Sequence, residues 1–456
     1  MGYLAPLAMK PNRLLIGSTL VAALGGFLFG FDTAVISGTT EALKQVFQLS
    51  SNQLGFTVAS ALIGTILGSI AVGKSAERIG RKRTLLVLAV LFFVSAVGCG
   101  FAWDWISLIL FRFIGGLAIG GASVVSPMYI AEIAPPQSRG RLVSVSQFNT
   151  VFGILAAYLT NYVIASMFSA QGPAGVSVAW RWMFGVEAAP AALFFLLVLQ
   201  IPESPRWLVK QHQREEALGI LRRFGNGDPR LVLNEIIESL QEETVSTSEP
   251  FFVKKYRKPI LLALMVATFN QLSGINAVIY YTADIFRMAG AERASALFQS
   301  VLIGVTCLVS TVMAMMVIDR FGRKRLLLIG AAGMTVCLAV TAFAFYKGVG
   351  GELVLVSLMG YIAFFAFSQG SVIWVFLSEI FPNRVRARGQ ALGSFTHWTW
   401  CAIVSWSFPI IAERSGGHAF SFFALMMVFQ LVMVSNFLPE TKGVSLEQIQ
   451  RKLGIE

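Results

Sequence analysis

Charge is scarce in this chain, and that scarcity decides the solvent. Of 456 residues only 13% are charged, against 55% hydrophobic, with a mean hydropathy of +0.69. Soluble proteins average about 25% charged residues. A soluble fold this poor in charge has nothing to cover its core, so the natural solvent is lipid. Cysteine is also sparse. Cys99, Cys307, Cys337 and Cys401 sit in apolar runs without a CxxC pair, and read as buried small residues outside any disulfide. The three histidines form no cluster at metal spacing. No Ser-His-Asp arrangement and no phosphate-binding loop is present, so neither a cofactor, a metal nor an enzyme is expected. The net charge of +12 lies in short basic tracts between apolar runs. That pattern belongs to membrane topology and argues against nucleic acid. The first apolar run, from near Leu14 past Phe31, lacks a small-residue cleavage site and reads as a retained span.

What is present is apolar length. A membrane helix needs about 20 mostly apolar residues. Candidate spans fall near 14–38, 54–73, 84–102, 105–131, 142–166 and 181–200. Six more fall near 258–286, 296–317, 326–346, 352–381, 388–412 and 417–438. The expected architecture is an all-α membrane protein of twelve helices. Residues 1–200 and 258–438 would form two six-helix bundles, 201–257 a charged helical linker, and 439–456 a tail. Lys74, Arg78, Arg81, Lys82, Arg83, Arg139, Arg141, Arg320, Arg323, Lys324, Arg325, Arg384, Arg386 and Arg388 all fall on one side, with the linker and tail. The positive-inside rule therefore makes both termini cytoplasmic, in a multi-pass protein of the cell membrane.

The two halves repeat each other. Glu77-Arg78-Ile79-Gly80-Arg81-Lys82-Arg83 recurs as Asp319-Arg320-Phe321-Gly322-Arg323-Lys324-Arg325, offset 319 − 77 = 242. Glu132, seven residues before Arg139, recurs as Glu379 before Arg386, offset 379 − 132 = 247. Pro202-Glu203-Ser204 recurs as Pro439-Glu440-Thr441, offset 440 − 203 = 237. Parallel repeats of this kind place a binding site between the halves near the midplane, reached from alternate sides. Topology alone needs Lys and Arg but not a paired acid and glycine, so these motifs read as gating groups.

Three ionisable residues lie inside spans: Asp32, Arg112 and Glu187. Such groups are costly in lipid and are usually functional. A carboxylate able to exchange an arginine partner for a proton is a coupling device; a static buried pair is the bland alternative. Asn270, Gln271, Asn276 and Tyr280 lie in span seven, with Asn276 and Tyr280 on one helix face. Gln147 lies in span five, Trp374 after Gln369-Gly370-Ser371 in span ten, and His397 and Trp398 in span eleven. Amides donate and accept, and indoles offer a flat apolar face with one N–H. The set suits a neutral polyhydroxylated ring. His397 fits hydrogen bonding to such a ring better than proton relay.

These stretches carry a resemblance. Gly30-Phe31-Asp32-Thr33, Gly73-x-x-x-Glu77-Arg78-x-Gly80-Arg81, Pro127-Met128-Tyr129-Ile130-Ala131-Glu132, Pro202-Glu203-Ser204-Pro205-Arg206-Trp207-Leu208, Gln271-x-x-Gly274-x-Asn276 and Pro439-Glu440-Thr441-Lys442-Gly443 resemble the sugar porter branch of the major facilitator superfamily over essentially the whole chain. Within it, the chain looks most like the bacterial D-xylose–proton symporters and related proton-coupled hexose porters. The resemblance implies sugar hydrogen bonds from Gln147, Gln271, Asn276 and Trp374, with Phe29, Tyr280, Phe365 and Trp398 lining the site. Asn270, Gly370 and His397 complete the expected substrate set. It further implies that Asp32 carries the proton, with Arg112 its partner and Glu187 nearby. Facilitative relatives have Asn where Asp32 stands. Departures are Asn270 for a glutamine, His397 for Gln or Asn, Cys307 for an Asn, Ser371 for a Pro and Ile154 for a Gln. The implied activity is import of a pentose or hexose with a proton, by a chain that works as a monomer in the bilayer. A uniporter is the nearest alternative; a non-transporting sensor or a drug exporter is more distant.

Overall fold

Where the chain is apolar it is helical. The computed structural model describes residues 12–169, 172–225, 228–246, 250–382, 384–442, 444 and 446–455, and no strand occurs among them. The first half holds Arg13–Val35 (span one), Ser51–Ile79 (two), Arg81–Gly100 (three), Trp105–Ile133 (four) and Arg139–Ser169 (five). Span six is made of Gly172–Gly185 and Ala188–Val198. In the second half, span seven is made of Arg257–Leu272, Ile275–Tyr280 and Thr282–Met288. Arg293–Phe321 and Arg323–Lys347 form spans eight and nine, and span ten is made of Glu352–Phe367 and Gln369–Glu379. Arg386–Arg414 and Gly416–Phe437 are spans eleven and twelve.

Eleven of these segments are long and apolar enough to cross a membrane. The twelfth, Arg386–Arg414, has the length at 29 residues but carries Arg386, Arg388, Gln390 and His397 among its polar positions. Those arginines stand at its N-terminal end, and His397 at the central site. Apolar run length located the spans but carries no sign of the breaks in spans six, seven and ten. A helix broken inside a membrane leaves unpaired backbone groups, which are tolerated only inside protein or beside a water-filled cavity.

The repeat is visible in the packing. Spans one and five pack together as do seven and eleven; two and four as do eight and ten; three and six as do nine and twelve. The halves meet where span two lies on eleven and span five on eight. The chain is two six-helix bundles joined by a helical linker.

The structure also explains the motif glycines. Gly80 and Gly322 join spans two to three and eight to nine with φ of +94° and +86°, a conformation that side chains rarely adopt. A Cβ at either would run into the carboxylate of Glu203 or Glu440. The linker helices Pro205–Lys210, Arg214–Phe224 and Pro229–Ser246 dock on the first bundle. There Leu208, Ala217, Ile220 and Phe224 join its core. The tail helix Leu446–Leu453 buries Ile449 and Leu453 against the second bundle.

Candidate functional site

Asp32 of span one and Arg112 of span four are each 2% exposed and form a direct ion pair through Oδ1 and Nη1. Small residues make this possible: a Cβ on Gly115 would fall 2.7 Å from Asp32 Oδ2. The guanidinium also lies 5.6 Å from the centre of the Phe184 ring. Glu187 sits at the break in span six, buried, with Oε1 unpartnered, and it feels the charges of both Asp32 and Arg112. Sequence reasoning named these three, and the fold brings them together.

The second cluster surrounds the first break in span seven, where Gly274 has φ +85°. Tyr361 of span ten donates to the carbonyl of Ser273 at this break, at 2.9 Å. Gln271 Nε2 donates to Asn270 Oδ1 at 3.0 Å, and Asn276 Nδ2 donates to Gln271 Oε1 at 2.7 Å. The same Gln271 nitrogen is 3.1 and 3.3 Å from the two ring nitrogens of His397. An atom so nearly equidistant from both cannot lie on either lone pair in the ring plane; it sits over the imidazole face. His397 is flanked by Trp374 and Trp398, with centroids 5.1 and 5.0 Å away. Phe29 of the first half meets Trp398 edge-on at 5.8 Å, across the seam between halves. Tyr280 is buried and Phe365 half-buried; Phe365 Cε1 lies 3.3 Å from where a Cβ of Gly370 would stand. Trp374, 40% exposed, and Gln147, exposed on span five, are the open members of the set. Gln147 makes no hydrogen bond among the described residues. Unforeseen from sequence was the buried Gln369–Gln430 bond of 2.6 Å, which ties the break in span ten to span twelve.

The charged motifs form one cluster in each half. Arg81 holds Glu132 through Nε and Nη2 at 2.9 and 2.8 Å, while Glu203 accepts from the backbone N–H of Arg81, Lys82 and Ser204. Arg323 holds Glu379 at 3.0 Å, Thr441 Oγ1 donates to Glu379, and Glu440 accepts from the backbone of Arg323, Lys324, Thr441 and Lys442. Each Glu of the Pro-Glu motif thus caps the positive N-terminus of span three or nine. Burial pushes Glu203 up from the usual carboxylate range despite its three N–H donors. Burial also pushes on Glu440, but its four N–H donors outweigh that and hold it below the usual range. Glu77 pairs with Lys210 at 3.1 Å on an exposed surface. The spacing of Glu132 to Arg139, and of Glu379 to Arg386, does not mark a bond, because the acids pair with Arg81 and Arg323 instead. Arg386 reaches only the Phe381 carbonyl, at 3.4 Å, and Arg78 and Arg139 have no ion pair among the described residues. The side chains of Asp319 and Arg320 lie outside the described residues.

Each of these ion pairs lies within one half or between the first half and the linker, at the face that carries Asn12 and Ile455, here the terminal face. Contacts between halves among the described residues are found at mid-membrane and toward the opposite face. They include Tyr158 Oη to the Ile279 carbonyl at 2.8 Å and Trp406 Nε1 to Asn52 Oδ1 at 2.8 Å. Phe56 also stands against Trp406 at 5.1 Å. These contacts hold the two halves together on the face away from the termini.

Two repeated bundles around a buried polar centre define a membrane carrier that works by alternating access. The chain belongs to the family described as sugar (and other) transporter, which matches residues 18–453. It is 40% identical over 475 residues to the D-xylose-proton symporter of Escherichia coli (strain K12), covering 95% of this chain and 94% of that one. It is 37% identical to the arabinose-proton symporter of Bacillus subtilis (strain 168), covering 94% and 93%. A solved structure titled as the inward open conformation of the xylose transporter from E. coli superposes with a TM-score of 0.86, at 39% identity, covering 96% and 99%.

Proposed function

We propose that this protein is a secondary active transporter that imports a pentose or hexose by proton symport through alternating access. The observation that carries the reading is the buried Asp32–Arg112 pair, one bundle away from an amide and indole cluster built for hydroxyl groups. The xylose and arabinose carriers it is similar to are named as proton symporters, which supports the same coupling here.

The geometry supports the following roles. Gln147, Asn270, Gln271, Asn276, Trp374 and His397 pair with hydroxyls, and Phe29, Tyr280, Phe365, Gly370 and Trp398 shape the apolar walls. Asp32 takes the proton. Once neutral it no longer attracts Arg112, which is then free to turn to Glu187 and its unpartnered oxygen. That exchange loosens the first bundle while the sugar engages the second, so proton and sugar cross together. The Arg81–Glu132–Glu203 and Arg323–Glu379–Glu440 clusters act at the terminal face as gating groups, with Glu77, Arg78, Arg139, Asp319, Arg320 and Arg386 around them. The basic face is cytoplasmic by the positive-inside rule, in the cell membrane. Residues 1–200 and 258–438 move as the two bodies, with 201–257 as their tether. The chain works as a monomer in the bilayer.

The test is uptake by purified protein in proteoliposomes. An imposed inward proton gradient should drive D-xylose, D-glucose or D-galactose above its outside concentration. Uptake that reaches but never exceeds the outside concentration would make the protein a uniporter. No saturable uptake or binding of any pentose or hexose would reject the sugar assignment.

A further inference from the structure

On the face away from the termini lies a charge cluster that neither the repeat nor the sugar site explains. Glu41 stands on the short helix Thr40–Val46 after span one, and its Oε1 pairs with Arg287 Nη2 at 2.7 Å. Arg293, the first residue of span eight, brings Nε to 3.9 Å from the second oxygen. Asp284, one turn before Arg287, lies 4.0 Å from it through Oδ1, while its Oδ2 is out of solvent and unpartnered. Beside them the backbone N–H of Ala283 donates to Ser37 Oγ at 3.2 Å. Ser37, Thr40, Glu41, Asp284, Arg287 and Arg293 line one small cavity.

Glu41 and Ser37 belong to the first half; Ala283, Asp284, Arg287 and Arg293 belong to the second. The Glu41–Arg287 pair therefore exists only while this face is shut, because opening it carries the two residues apart. The terminal-face pairs differ in kind: Arg81–Glu132 and Arg323–Glu379 each lie inside one half. An interaction present in one state alone shifts the balance between states by its own free energy. The pair is only partly screened, with side chains 34% and 23% exposed, and two arginines share one carboxylate whose neighbour Asp284 offsets the excess positive charge.

We propose that Glu41, held by Arg287 and Arg293, is an outer latch that sets how readily the empty carrier reopens away from the termini. The proposal rests on the alternating-access reading above. It adds gating residues outside the repeated motifs and on the opposite face from them.

Hydrogen exchange on the full chain in nanodiscs, without sugar, reads the latch directly. Glu41→Gln should raise exchange of the segments 36–46 and 282–297 by about fivefold, the size of a partly exposed pair shared with a second cation. The reversal Glu41→Arg should do the same, and Glu41→Arg combined with Arg287→Glu should return exchange toward wild type. Unchanged exchange in a folded Glu41→Gln protein, or a double reversal no better than the single one, overturns the latch. If Glu41→Gln does not fold, Arg287→Gln with Arg293→Gln replaces it, with the same expected rise and the same refutation. Exchange requires neither proton nor sugar. A wild type that shows no proton-driven uptake while Glu41→Gln still shifts exchange would reject symport and keep the latch.

Discussion

Replacing Asp32 with asparagine isolates the proton from the sugar. The substitution keeps the shape of the side chain and removes its ability to carry a proton. With one buried carboxylate partnered by one arginine, the geometry supports one proton per sugar. Each unit of imposed pH difference is worth about 1.4 kcal/mol per proton, or about tenfold accumulation. Two units therefore set a ceiling of about a hundredfold for wild type, and Asp32→Asn should level off at a ratio of one. The same change leaves Arg112 buried with its counter-ion gone, which costs about 3 kcal/mol where nothing replaces the lost partner. Glu187, with its unpartnered Oε1 near both charges, is placed to recover part of that, so the variant should fold with a lowered thermal midpoint. The assay is radiolabelled sugar uptake under an imposed gradient, paired with counterflow exchange in its absence. Counterflow should persist, because every sugar-pairing amide except Gln147 lies in the other bundle. Uphill accumulation that survives in Asp32→Asn would refute the coupling assignment, and loss of counterflow in a folded protein would show that Asp32 is needed for movement itself.

Three further outcomes follow from the site and the motifs. Gln271→Ala removes the amide that links Asn270, Asn276 and His397, and should weaken sugar binding by about tenfold or more in calorimetry, the size of one or two lost hydrogen bonds. Glu440 and Glu203 should respond oppositely to pH in thermal-unfolding series. Glu440 is held below its ordinary value of 4.5, so its stabilisation is present above that value and fades as pH falls through the lower folded one. The gap between wild type and Glu440→Gln should therefore close in acid. Glu203 is raised, so its ionised form disfavours the fold as pH rises above 4.5, and Glu203→Gln should cost least near neutral pH. Gly322→Ala forces a side chain into φ +86° against the Glu440 carboxylate, and should lower stability by at least about 1 kcal/mol, seen as a reduced thermal midpoint.

Much of the fold was legible because lipid enforces it. A chain that must satisfy every backbone group inside a bilayer writes its helices as apolar runs, and those runs located the spans, though span six begins at Gly172 rather than near 181 and span two runs on to Ile79 rather than 73. Span eleven shows the limit of that signal. It carries Arg386 and Gln390 near the terminal face and His397 at the central site, so its apolar signal is the weakest of the twelve. The breaks in spans six, seven and ten were missed for a related reason. Gly274 sits in an apolar sequence that a straight helix would also tolerate, and only its φ of +85° reveals the turn.

The site was legible by residue type and not by pairing. Asp32, Arg112 and Glu187 stood out because charge in lipid is conspicuous, and three spans bring them together. The motif acids were read along the chain, where Glu132 precedes Arg139 and Glu379 precedes Arg386. In space those acids turn to Arg81 and Arg323, because spans three and nine lie beside four and ten and present an arginine at their first turn. The glycine before that arginine lets the chain reverse there, and the distant Pro-Glu motif caps the exposed N–H groups. The three repeated motifs are therefore one construction, and spacing could show that they recur but not that they meet. Glu41 and Arg287 had no repeat to announce them. A contact that joins the two halves is made of unlike residues, so internal symmetry is silent on the interactions that distinguish one state of the carrier from the other.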